Sequence, residues 1–220
     1  VVSLIARDQG KLRGVARGAR RLKSRFGAGL ERLAHVRMFY FQRENRELVS
    51  LDSCELIDSQ YNAAAADYSL GVALDYLAEV TEQILPEREP NDRFFRLLLL
   101  VLDYIRERGA EGLWPAVTYF SLWAVKLGGW LPELDRCAQC GGELASAEKA
   151  YYTRSEPGVT CARCRGSSPW AMAADSRALA RQMLDQSLRK LEPRRWDRAT
   201  AADLRQFLIQ RLEEHLERKL

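Results

Sequence analysis

The sequence predicts an α+β protein: a small barrel of short strands at the amino end, then an all-α part that carries an inserted cysteine ribbon. Three observations point there. Apolar and polar residues alternate over the first ~55 residues, and from about Asp67 onward apolar residues recur at helical spacing. Four cysteines form two tight pairs, Cys137 with Cys140 and Cys161 with Cys164.

The strands come first. Val1 to Arg7 reads as a strand closed by the turn Asp8-Gln9-Gly10, and Lys11 to Gly18 as the next. Leu33 to Gln42 alternates again, with Val36, Met38 and Tyr40 opposite Arg37, Phe39 and Phe41. Arg43-Glu44-Asn45 turns, and Glu47 to Leu51 returns. Several short, antiparallel, turn-linked strands make a small barrel. The chain enters directly on a strand at Val1, without an initiator methionine, so further residues are expected upstream.

The helices follow. Tyr68, Val72, Tyr76, Val80 and Ile84 repeat every four residues, with Ala73 and Leu77 beside them. Pro86 and Pro90 break that helix, and Asn91 caps the next, which stops at Gly109. Phe94, Phe95 and the apolar run Leu97 to Leu102 predict a central helix buried nearly all round. Trp114-Pro115 opens another helix, ending at Gly128-Gly129. Two more span Ala173 to Leu191 and Thr200 to Leu220, the last with the stripe Leu204, Leu208, Leu212 and Leu216. Thr200 with Asp203 resembles a capping box.

The cysteines carry the sharpest chemical signal. Two residues between thiols let one turn aim both sulfurs at one ion, and the 20-residue spacer is long enough for a hairpin that brings the pairs together. Tyr151 to Thr153, a turn at Glu156-Pro157-Gly158 and a return at Val159-Thr160 make that hairpin a zinc ribbon. Four thiolates fill the tetrahedron, so one structural zinc is expected and not a catalytic one. The alternatives are two disulfides or a redox dithiol. Disulfides fit poorly beside an unpaired fifth cysteine, Cys54, in a chain that opens without an export signal. A reducing cytoplasm is the expected compartment, and the longest apolar run is far short of the ~20 residues of a membrane span.

Charge is unevenly placed. The net +4 of the 220 residues divides into +9 over residues 1–46 and −5 over the rest. From Lys11 to Arg25 there are seven basic residues and no acid, a block that attracts a polyanion. Lys11, Arg13 and Arg17 share one face of a strand, and the glycine-bracketed loop after it adds Arg20, Arg21, Lys23 and Arg25. The bland alternative is a solvated strand and loop that are basic by chance. Apolar content of 47% supports real cores, in one large domain or two small ones.

No catalytic constellation is visible. His35 and His215 have no nucleophile at a spacing that predicts a partner, and both read as structural. Lys23-Ser24 follows Leu22 where a phosphate-cradling loop needs glycine, so ATP binding is not expected.

The segment Gln9 to Gly27 resembles the amino-terminal signature of the RecO family of bacterial DNA repair proteins, with Gly10-Lys11-Leu12-Arg13-Gly14 and Arg17-Gly18-Ala19-Arg20-Arg21-Leu22-Lys23 inside it. Glu47-Leu48 leading to Glu55-Leu56 is similar too, as is Glu89-Pro90-Asn91 before Phe94 and Phe95. So is Leu127-Gly128-Gly129-Trp130-Leu131-Pro132 leading into Cys137-Ala138-Gln139-Cys140-Gly141. The resemblance implies an OB-fold nucleic-acid-binding domain over residues 1–55, lacking its first strand. It implies a helical domain over 56–136 and 167–220, and a zinc-ribbon insertion over 137–166. The implied activity is that of a non-enzymatic recombination mediator. Such a protein binds single- and double-stranded DNA, anneals complementary strands, and acts with RecR to load RecA onto DNA coated by single-strand-binding protein.

On that expectation Lys11, Arg13, Arg17, Arg20, Arg21, Lys23, Arg25 and Arg37 contact phosphates. Phe39 and Phe41 are assigned to the barrel core, because large aromatics on a barrel strand usually face inward; base stacking is the alternative. A reading of another class is a zinc-stabilised helical adaptor that mainly binds other repair proteins, with DNA contact secondary. A weaker third is a zinc-ribbon enzyme subunit, which full cysteine ligation disfavours.

Overall fold

The computed structural model describes all of residues 1–220 apart from Leu22, Glu44, Asn45, Ser155, residues 192–195, Arg218 and Leu220. The turn expected at Arg43-Glu44-Asn45 therefore lies in part, and the Leu22 position wholly, outside the described residues; the last helix, expected to run to Leu220, ends at Leu216, where Glu217 turns left-handed at φ 51°. The chain divides into two compact units, Val1–Ala110 and Glu111–Leu220.

The first unit opens on a four-stranded sheet: β1 (Val2–Ala6), β2 (Gly10–Ala16), β3 (His35–Phe41) and β4 (Val49–Asp58), in the order β1-β2-β4-β3. β1 pairs antiparallel with β2, and β3 antiparallel with β4, as alternation and turn signals predict. The β2–β4 pair is parallel, Gly14 opposite Val49 and Ala16 opposite Leu51, which corrects the expectation of antiparallel strands throughout. β4 is also longer than the expected return to Leu51. It reaches Asp58, and that length lets it pair with β2 at its start and with β3 along the rest.

One face of the sheet holds a small core. Phe26, Val49 and Leu51 are buried, with Leu4, Ala16, Met38, Tyr40 and Cys54 packed on them. Leu12 is buried on the same β2 parity, while Arg13 stays exposed. Phe39 and Phe41 do not join this core; they are 44% and 66% exposed. The physical reason is the period of the strand. Only one parity of β3 can face inward, and Met38 and Tyr40 occupy it.

Helices α1 (Tyr61–Ala66), α2 (Tyr68–Ile84) and α3 (Asp92–Arg108) complete the unit. Asp67 caps α2 through bonds from the N–H groups of Ser69 (2.7 Å) and Leu70 (3.3 Å). Asn91 caps α3 through Phe94 N–H at 3.0 Å, and Gly109 ends it at φ +58°, as read from the sequence. The buried face of α2 is Leu70, Ala73, Leu74, Leu77, Val80 and Thr81. The predicted stripe began wrongly: Tyr68 is 86% exposed and Val72 is exposed, because the face that packs turns about Leu77, not Tyr76. α3 buries Phe94, Leu97, Leu98, Val101, Leu102 and Ile105 but leaves Phe95, Leu99 and Leu100 half-buried, so it is one-sided and not enclosed all round.

The segment between α2 and α3 lies along β2. Glu87 bridges to Lys11, and Arg88 N–H donates to the Lys11 carbonyl at 2.8 Å. Gly10 is required there: its φ is +71°, and a Cβ would lie 2.2 Å from the Glu89 carbonyl oxygen.

The second unit contains α4 (Leu113–Leu127), a two-stranded sheet of β5 (Ala150–Tyr152) and β6 (Trp170–Met172), α5 (Ala174–Asp185) and α6 (Ala202–Leu216). α5 ends earlier than expected; Leu188–Lys190 is a separate 3-10 turn. Leu204, Leu208 and Leu212 of α6 are buried with Phe207. The capping box at Thr200 does not form. Asp203 instead accepts bonds from Ala173 N–H and Ser176 Oγ, both at 2.6 Å, and so caps α5. Among the described residues no helix is long and apolar enough to cross a membrane.

Candidate nucleic-acid interface and metal centre

The cations of the amino-terminal block fall into two groups. One group is engaged within the first unit. Lys11 is only 11% exposed at its side chain and donates to the Glu82 carbonyl at 2.6 Å, with the Glu82 carboxylate 3.8 Å away. Arg13 faces Glu87 at 3.9 Å, Arg25 pairs with Asp52 at 2.8 Å, and Arg37 pairs with Glu55 at 3.2 Å. The second group is Arg17, Arg20, Arg21 and Lys23. All four are exposed in the turns after β2, and none forms an ion pair among the described residues. The structure thus separates four uncompensated charges from four that already have acidic neighbours.

Strand register places those turns. β2 leaves the sheet after Ala16, opposite Leu51 of β4. The returning loop then lies against β4, since Cys54 N–H donates to the Arg25 carbonyl at 3.4 Å. On the other edge of β4, Ser53 is opposite Phe39 and Ser50 opposite Phe41. Arg25 and β3 therefore lie on opposite edges of β4. Arg37, Phe39 and Phe41 all point to the solvent face. The loop packs Ala19, Phe26 and Leu30 on the inward face with Met38, Tyr40 and Cys54, while Phe39 and Phe41 point to the opposite, solvent face.

The cysteines of the second unit converge. The four Sγ atoms of Cys137, Cys140, Cys161 and Cys164 lie within 4.8 Å of one another. A tetrahedral ion with bonds of ~2.3 Å needs sulfurs ~3.8 Å apart, so a small contraction suffices and the four residues can hold a metal ion. The hairpin that brings them together matches the expected one: Tyr151 and Thr160 exchange backbone bonds at 2.9 and 2.7 Å. Gly141 takes φ +69° directly after the first pair, a conformation that suits glycine. Cys137 and Cys161 are buried, and Cys140 is exposed.

The backbone polarises these thiols. Burial opposes ionisation of Cys137, but the N–H groups of Cys140, Cys161 and Gln139 together outweigh it and bring its pKa down to about 6. The Cys164 N–H lowers Cys161, against its burial. Cys164 is pushed up to about 12, first by its hydrogen bond to Cys161 and then by burial.

The histidines sit in packing contacts. His35 meets Phe95 edge-on at 6.5 Å, and His215 stacks on Trp130 at 4.6 Å while its Nδ1 lies 2.8 Å from the Arg211 carbonyl. The residues that sequence reading missed are arginines of the second unit. Arg154, Arg198 and Arg205 line a pocket of about 400 Å³ with Trp114 and Ile209. Arg205 lies 4.7 Å over the Trp114 ring. They are scattered over 52 positions of sequence, and no local pattern connects them.

Residues 1–60 match the family described as "Recombination protein O N terminal", and residues 65–220 match "Recombination protein O C terminal". A curated relative, "DNA repair protein RecO" of Koribacter versatilis (strain Ellin345), is 43% identical over 220 residues, spanning 100% of this chain and 88% of its own length. "DNA repair protein RecO" of Anaeromyxobacter sp. (strain K) is 28% identical over 222 residues, spanning 100% of this chain and 86% of its own. The protein of the same name from Anaeromyxobacter sp. (strain Fw109-5) is 29% identical over 231 residues, with the same coverage.

Proposed function

The chain belongs to the RecO family of DNA repair proteins, and from that premise we propose that it is a DNA-binding recombination mediator without catalytic activity of its own. In this role it anneals complementary single strands and, with RecR, helps load RecA onto DNA coated by single-strand-binding protein, in the cytoplasm. One observation carries the DNA contact: Arg17, Arg20, Arg21 and Lys23 are exposed and form no ion pair among the described residues, on a domain that also exposes the rings of Phe39 and Phe41. Cations follow the phosphates and rings stack on unpaired bases. Arg13, Arg25 and Arg37 are partly exposed in their ion pairs and can exchange an acid for a phosphate. Lys11 belongs to the scaffold more than to the contact.

Annealing needs no bond chemistry. Two phosphate chains repel, and a cationic surface lowers that repulsion while complementary bases search for pairing. The mixed sheet, with its single parallel pair, supports an OB-type Greek-key domain at residues 1–55. The domain reading continues with helical segments 56–136 and 167–220 around a ribbon at 137–166. In that ribbon Cys137, Cys140, Cys161 and Cys164 hold one structural zinc. The ion supplies cross-linking that so short a module cannot get from apolar burial.

The test is annealing of two complementary oligonucleotides, with elemental analysis of the same preparation. The expected result is one zinc per chain and faster annealing, lost when Arg17, Arg20, Arg21 and Lys23 are all changed to serine. Unchanged annealing by a folded variant would refute the site.

The adaptor reading has its own observation, the pocket of Arg154, Arg198 and Arg205 against Trp114 and Ile209. Its chemistry suits an acidic protein segment with an apolar side chain. Partner binding that survives the four-serine change, with DNA binding lost, separates the two roles.

A further inference from the structure

We propose that two buried arginines, Arg177 and Arg211, couple the cysteine centre to the helices of the second unit, so that metal, ribbon and helices fold as one cooperative block. The inference rests on the reading that the four cysteines hold zinc. Arg177 projects from α5 with 0% exposure. Its Nε donates to the Leu134 carbonyl at 3.0 Å, and its Nη1 to the carbonyls of Ala145 (3.1 Å) and Glu148 (2.7 Å). Its Nη2 reaches the Leu144 carbonyl at 3.4 Å and the Asp135 carboxylate. Every one of these acceptors lies in the segment that flanks Cys137 and Cys140.

Arg211 of α6 does the same for the other half. It is 1% exposed. Its Nη1 donates to the Glu156 carbonyl at 2.9 Å, and its Nη2 to Thr153 (3.0 Å) and Arg154 (3.4 Å), in the turn that leads to Cys161 and Cys164. Glu214 balances its charge at 3.1 Å, and Phe207 lies under the guanidinium at 5.6 Å.

Each half of the ribbon thus presents main-chain carbonyls to one buried cation on a helix. Those carbonyls hold position only while the two cysteine pairs are tied together. If the pairs part, two guanidiniums lose their acceptors inside the protein, which strongly disfavours keeping α5 and α6 packed. In the other direction, correctly seated arginines preorganise both cysteine pairs for the ion, as outer-shell partners of metal sites do.

The experiment is peptide-resolved hydrogen exchange on the full chain, zinc-loaded and after chelation, with zinc content measured by elemental analysis. The expected result is that peptides of α5 and α6 lose protection together with residues 134–172, while residues 1–110 keep theirs. Loss confined to 134–172, or spread equally through 1–110, overturns the coupling while leaving the zinc reading intact. A preparation that binds no zinc overturns both. Chelator competition on Arg177→Lys and Arg211→Lys gives the reciprocal measurement, with zinc affinity expected to fall about 10–100-fold. Unchanged affinity in folded variants overturns the role of the arginines. If neither variant folds, exchange on the unaltered chain decides.

Discussion

Lys11 donates through Nζ to the main-chain carbonyl of Glu82 at 2.6 Å, so the first cation of the basic segment holds the last turn of α2 instead of facing solvent. A lysine at that place satisfies a helix-end carbonyl and complements the negative end of the helix dipole. Lys11→Met keeps the stem and removes the donor. The expected cost is about 1–2 kcal/mol of stability by denaturant unfolding, with the salt dependence of DNA binding unchanged. A normal midpoint with a weakened salt dependence would move Lys11 back among the phosphate contacts.

Phe39 and Phe41 can be removed with little effect on folding, because their rings lie outside the core. Phe39→Ala and Phe41→Ala should each leave stability within about 0.5 kcal/mol. Each should weaken single-stranded DNA binding by about 1–3 kcal/mol, the range for a base stacked on an aromatic side chain. Duplex binding should change far less, since paired bases are not free to stack. A large loss of stability would show the rings to be packing residues after all.

Asp203 serves another helix than its own. Asp203→Ala orphans the Ala173 N–H and the Ser176 hydroxyl, and should destabilise the protein by about 1–3 kcal/mol. Thr200→Ala, by contrast, removes only the bonds of the hydroxyl with Asp197, in an exposed turn. If the two changes cost the same, the capping role of Asp203 is wrong.

Zinc affinity should fall as pH falls, because each thiol must lose its proton to bind. Cys137, lowered to about 6, is mostly ionised above that pH and contributes little to proton release there. Below it the thiol is protonated, so binding must displace one more proton. The slope of log affinity against pH should therefore steepen by about one on going below about pH 6. Competition with a chelator of known proton affinity reads this directly, and a constant slope through that region would contradict the lowered thiol.

Much of this architecture was legible from residue order alone. Asp67 was bounded by its helical period, Asn91 and Gly109 by cap chemistry, and the ribbon hairpin by Tyr151 and Thr160 on either side of Pro157-Gly158. These are local signals, and local rules read them. What failed was non-local. Tyr68 begins a good helical repeat, but which face packs depends on what α2 meets. Phe39 shares its strand parity with Arg37 and Tyr40 does not, but parity alone does not say which face packs. The parallel β2–β4 pair joins residues 35 positions apart, Gly14 and Val49 among them. The basic block was visible as a block, yet its division required the positions of Glu82, Glu87, Asp52 and Glu55, supplied by tertiary structure. Asp203 reads from its spacing to Thr200 as a helix-start residue, but the start it caps lies thirty residues earlier.

The central claim is that the uncompensated cations after β2 grip nucleic-acid phosphates. A titration of single-stranded DNA at several salt concentrations tests it most directly, on the unaltered protein and on the variant with serine at positions 17, 20, 21 and 23. Four released contacts predict that log affinity falls more steeply with log salt in the unaltered protein, by a slope difference of about 2.8. Two parallel lines from equally folded proteins would contradict it.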